Sequence, residues 1–168
     1  MKKLAFLLYA WGSTFIFIAL LFWLATVPNL EANESNEMLD QIIKVLFRMI
    51  LYSMLFIFIF RSIIISLKST VSRLSAWRSK KEKIEDSEFV LIIETLVTII
   101  AIFASTLISI MEEVIQIEIS GRSAEVVDVL ISVIAILITA IVTYSIPVIG
   151  ELEMAIFHKF QERKSKKL

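Results

Sequence analysis

The chain contains no cysteine among its 168 residues, a single histidine, three glycines and two prolines. Without cysteine there is no disulfide framework, no thiolate metal site and no thiol redox chemistry. His158 stands alone in a charged tail, where a solvated surface residue is expected. The three glycines form no GxSxG elbow, no P-loop and no dinucleotide fingerprint, and HExxH is missing as well. So few nucleophiles and general bases exclude an obvious enzyme, and nothing in the sequence calls for a cofactor or a metal. A net charge is lacking too: 17 basic residues balance 17 acidic ones. No global field therefore points to nucleic acid. The scarcity of glycine and proline predicts long, unbroken helices.

What the chain does have is apolar mass. Hydrophobic residues make up 58% of it, with mean hydropathy +0.83, against the roughly 45–50% of ordinary soluble domains. This mass falls into four runs, at about 4–27, 42–67, 88–113 and 124–149. A helix of about 20 apolar residues crosses a bilayer core. The expected fold class is an all-α integral membrane protein, with four transmembrane helices arranged as two antiparallel hairpins. The first run, Leu4 to Val27, follows Lys2 and Lys3 and carries no charge. A cleaved signal peptide is the rival for this run. Its length argues for a span instead, since a signal core is about 7–15 residues long. Trp23 and Pro28 mark its exit.

The connecting segments differ in sign. Residues 29–41 carry Glu31, Glu34, Glu37 and Asp40 and no basic residue. Residues 68–86 form a basic linker with Lys68, Arg73, Arg78, Lys80, Lys81 and Lys83, and residues 151–168 form a basic amphipathic tail. Leu67, Val71, Leu74 and Trp77 recur at helical spacing, so the second helix is expected to continue as a short amphipathic extension at the membrane surface. Ser120-Gly121-Arg122-Ser123 reads as a tight turn. Just before it, Ile115 to Ile119 alternates like a strand, which conflicts with helix there. By the positive-inside rule both termini face the cytoplasm, and the protein belongs in the cell membrane. The basic linker is also suited to anionic lipid heads, at about 1 kcal/mol per Lys or Arg.

The third run has two unlike sides. With a step of 100° per residue, Glu94, Thr98, Ala101, Ser105, Ser109 and Glu112 share one narrow arc. Ile92, Leu96, Ile99, Ile100, Phe103, Leu107 and Ile110 share the other. In lipid the bulky side faces outward and the small, polar side faces protein. The fourth run has a matching stripe in Ser132, Ala135, Thr139 and Thr143. The expectation is that the two stripes pack against each other. A polar pore lining is the rival.

Charges inside the spans are costly and are candidate functional sites. Glu94 and Arg61 fall at matching depth from one end, so an ion pair between them is expected in preference to an ion-binding Glu94. Near the other end, Arg48 falls at the level of Leu107 and Lys44 at that of Met111. With Glu112, Glu113 and Asp128 they form an outer charge cluster, where pairing or snorkelling is expected. Arg48 and Arg61 point about 140° apart and the fourth run has no basic residue, which weighs against a voltage sensor. The acidic outer residues show no EF-hand spacing. A helical scaffold or accessory subunit of a membrane complex is the function expected, with other membrane subunits as partners. A homo-oligomeric cation channel with an acidic mouth is the alternative.

Overall fold

The computed structural model describes residues 2–26, 37–78, 86–117 and 125–145. Within them lie four helices: α1 (Lys2–Thr26), α2 (Glu37–Arg78), α3 (Asp86–Ile117) and α4 (Val126–Ser145). Each contains a stretch long and apolar enough to cross a membrane, namely Leu7–Thr26, Gln41–Leu67, Ile92–Ile117 and Val126–Ser145.

Side-chain pairings give the order of directions. Trp11 reaches Ser66 and Thr14 reaches Ser62, so α1 and α2 run antiparallel. Arg48 meets Glu113 and Tyr52 meets Glu112, which makes α2 and α3 antiparallel as well. Arg48 also meets Ser132 while Ser53 meets Thr139, so α2 and α4 run parallel. The result is an up-down-up-down bundle in which α2 touches all three other helices.

The core follows from that central position. Helix α2 supplies its bulk, Tyr52, Leu55, Phe56 and Ile59, and α1 adds Leu21. Facing them, α3 and α4 present Ala101, Ala135, Ile136 and Ala140. Small residues on one helix thus receive large ones from another, which permits close backbone approach. Helices α3 and α4 pack against each other, and Ala101, Ser105, Ser109, Ser132 and Ala135 of their two stripes are buried. The hydroxyls of α4 also meet α2: Ser132 accepts from Arg48, and Thr139 Oγ1 lies 2.8 Å from Ser53 Oγ.

A hydroxyl seam joins α1 to α2. The Trp11 indole donates to Ser66 Oγ at 2.9 Å, and Thr14 Oγ1 and Ser62 Oγ lie 2.7 Å apart. Ser62 in turn donates to the Ala10 carbonyl at 3.0 Å. Phe17 packs against Phe58 on the next turn, with ring centroids 5.1 Å apart. Such bonds between helices are worth about 0.6–2 kcal/mol each in a membrane.

Bulky side chains cover the outside. All seven residues of the bulky arc of α3, from Ile92 to Ile110, are exposed, and so are Ile134, Leu137, Ile138 and Ile141 of α4. Helix α2 continues without a break from Leu67 to Arg78, so Lys68, Arg73 and Arg78 lie on helix. Helix α3 likewise takes in Ile115–Ile117 despite the alternating pattern. A helix satisfies its own backbone, and in an apolar setting that outweighs a period-two signal over so few residues. The acidic segment before Glu37, the linker beyond Arg78, the turn at Gly121, the end of the fourth run at Pro147 and Gly150, and the tail at 151–168 with His158 lie outside the described residues.

Gly12 sits inside α1, where glycine costs helix stability relative to alanine. A Cβ built there meets nothing within 4 Å. Gly12→Ala is expected to raise the unfolding free energy by about 0.5–1 kcal/mol. Thermal unfolding in detergent micelles measures the change, and a fall in melting temperature would contradict an open site.

Candidate functional site

Ionised side chains converge where one end of α3 meets the start of α4. Arg48, on α2, is the hub. Its Nε donates to Ser132 Oγ at 3.0 Å, and its Nη1 lies 2.6 Å from Asp128 Oδ2, both on α4. Its Nη2 is bonded to Glu113 Oε1 and lies 3.9 Å from Glu112 Oε2, both on α3. One planar guanidinium with donors on three nitrogens therefore ties three helices together, a task that the point charge of lysine does not match.

The acidic partners are themselves held in place. Glu113 is buried, and its second oxygen accepts the Glu125 backbone N–H at 3.3 Å, so the carboxylate also caps α4. Asp128 lies in the first turn of α4, where the helix dipole favours a negative charge. Its carbonyl accepts the Ser132 hydroxyl at 2.9 Å. Glu112 accepts from the Tyr52 hydroxyl and from Gln116 Nε2, the latter at 3.1 Å. The Tyr52 ring lies under the guanidinium, its centroid 5.9 Å away. Tyr52 and Gln116 are buried members of this site that the sequence pattern did not single out. Their signal was present in the spacing: Tyr52 is one turn from Arg48, and Gln116 is one turn from Glu112.

Arg48, Glu112, Glu113 and Asp128 are thus brought together. Lys44 is not: it is exposed on α2 and forms no ion pair with a described residue. The register also differs from expectation. Arg48 is level with Glu113, six residues beyond Leu107, which is about 9 Å along the helix.

The same six-residue difference removes the expected Glu94–Arg61 pair. Counting inward from Arg48 and Glu113, Arg61 falls opposite Ile100, not Glu94. Arg61 instead lies over the Tyr9 ring of α1, 5.9 Å from its centroid. Glu94 is exposed, and every ion pair among the described residues runs from Arg48. Rotation acts in the same direction. The buried line of α3 runs Val97, Ala101, Ser105, Ser109, Glu113 and Gln116. Stepped back four residues, it arrives at Ile93, about 100° from Glu94.

Of the stripe residues, Ala101, Ser105, Ser109, Ser132 and Ala135 are buried, while Thr98, Thr139 and Thr143 are half-buried. Thr98 bonds only to the Glu94 carbonyl one turn back, at 2.8 Å. Among the described residues no group of three histidine, cysteine or carboxylate side chains is placed to hold a metal ion. No family model, curated protein or solved structure matches the chain.

Removing Arg48 would leave Glu113 buried without its charged partner, a change that typically costs about 3–5 kcal/mol. Arg48→Gln is expected to lower stability by that amount. Glu94→Gln is expected to leave the melting temperature nearly unchanged. Denaturation of both variants in the same micelles checks the pair, and equal losses would mean that Glu94 is tied into the bundle after all.

Proposed function

We propose that the chain is a four-span protein of the cell membrane that acts as a helical scaffold or accessory subunit of a membrane complex. The observation that supports this role is the use of the intramembrane charges. Arg48, Glu113 and Asp128 are engaged in holding α2, α3 and α4 together, and the hydroxyls of α1 and α4 are likewise bonded within one copy. A face of bulky apolar side chains is left outward, available to lipid and to the helices of other subunits.

In this proposal the Arg48 end is the outer end and both termini are cytoplasmic, following the distribution of basic residues. The helical continuation of α2 through Lys68, Arg73 and Arg78 then emerges on the cytoplasmic side, where basic residues meet anionic lipid heads.

The alternative, a homo-oligomeric cation channel, needs the Ser105 and Ser109 face of α3 turned towards an axis shared by several copies. Burial of both residues within a single copy weighs against it.

The test is purification in mild detergent, measurement of stoichiometry and co-purifying proteins, and cation flux after reconstitution in liposomes. Association of one copy with a larger membrane complex, without flux, is the expected outcome. A stable homo-oligomer that conducts cations would replace the scaffold with the channel.

A further inference from the structure

Several hydroxyls in the described helices follow one habit. Thr14, Ser66, Thr98, Ser132 and Thr139 each donate to the carbonyl four residues back, at 2.8–3.1 Å. This is the ordinary way to satisfy a hydroxyl inside a helix. Ser105 and Ser109 break the habit. Both are 0% exposed; the Ser105 Oγ has no hydrogen-bond partner in the protein, and the Ser109 Oγ has at most a poorly aligned contact with the Tyr52 hydroxyl. They are successive turns of the buried line that leads to Glu113, one turn further on. The Ser109 hydroxyl also lies beside that of Tyr52, which donates to Glu112.

A buried hydroxyl with no partner is costly, and water is the usual remedy where the site is polar. The surroundings are polar on one side through Tyr52, Glu112 and Glu113. The line continues inward as Ala101, and the small side chains of Ser132 and Ala135 are buried on α4. We propose that Ser105 and Ser109 hold ordered water inside the bundle, hydrogen-bonded to both hydroxyls and continuous with the Tyr52–Glu112–Arg48 cluster. The polar path so formed reaches about 12 Å inward from Glu113, the rise of eight helical residues. It stops at Ala101, where the dry core of Leu55, Phe56 and Ile136 begins. The site concerns the interior of one copy, and it stands or falls separately from a scaffold role.

The absence of native cysteine makes a direct test available. In Ser105→Cys, Ser109→Cys and the control Ala101→Cys, the introduced thiol supplies the sole S–H stretching band in the infrared spectrum. After transfer of folded, reconstituted protein to D₂O, the bands at positions 105 and 109 are expected to vanish within minutes and that at 101 to persist. Persistence at 105 or 109 would overturn the proposal. So would exchange at 101 as fast as at the other two, because the water would then not be confined to the serines. The unmodified chain offers a second measurement that needs no substitution. In lipid nanodiscs, magnetisation transfer from water to the Ser105 and Ser109 side chains is expected, with none to Ala101. No transfer to the serines would reject bound water.

Discussion

A guanidinium does not give up its proton in a protein, so an arginine set between apolar helices has to be met by acceptors wherever it lies. Arg48 is met on two sides, by Glu113 of α3 and by Asp128 and Ser132 of α4. The requirement is geometric as well as electrostatic. The guanidinium fork has fixed directions, so the three helices have little freedom to slide or turn once its bonds are made. Register between α2 and α3, and the angle at which α4 starts, both follow from that one side chain.

The bundle is held differently towards its other end. Between α1 and α2 the contacts are short and neutral: Thr14, Ser62, Ser66 and the Trp11 indole, with Phe17 against Phe58. Arg61 lies in this half, over the Tyr9 ring of α1. Thirteen residues separate the two arginines, so they cannot share a helix face. Helix α2 therefore uses one side for α3 and α4 and another for α1, which is why the longest helix is also the central one.

Rotation was legible in the sequence for the middle of α3, and register was not. A step of 100° per residue separated Ala101, Ser105 and Ser109 from Ile99, Phe103 and Leu107, and the structure buries the first set and exposes the second. Depth had to be counted from assumed ends of the spans. Helix α2 runs on to Arg78, so an end placed at Leu67 was no guide to where α3 begins to pack. That offset accounts for the level of Glu113, and together with the rotation of Glu94 off the buried line it accounts for the missing Glu94–Arg61 pair. The hydroxyl seam of the first hairpin did carry a signal in the four-residue spacings of Ala10 with Thr14 and of Ser62 with Ser66. It was weaker than the charges beside it. What no pattern within one helix can express is which neighbour a small face will meet. Ala135 and Ala140 enter one core cluster with Tyr52, Leu55 and Phe56 of α2 and Ala101 of α3.

Among helices this apolar, the hydrophobic effect separates lipid from water but does little to choose one helix contact over another. Shape and polar bonds make that choice. Shape alone is permissive here, because branched side chains slide over alanine and serine at several registers with similar contact. A buried ion pair against well-packed apolar residues is often neutral or unfavourable for stability, yet it penalises every arrangement in which its partners are apart. Arg48 supplies this penalty. Shifting α3 by one turn would separate Glu113 from both the guanidinium and the Glu125 N–H, leaving a carboxylate and a helix start unsatisfied together. The clamp thus selects one arrangement among near-equivalent ones, and the large-to-small packing around Tyr52 and Phe56 stabilises the arrangement selected.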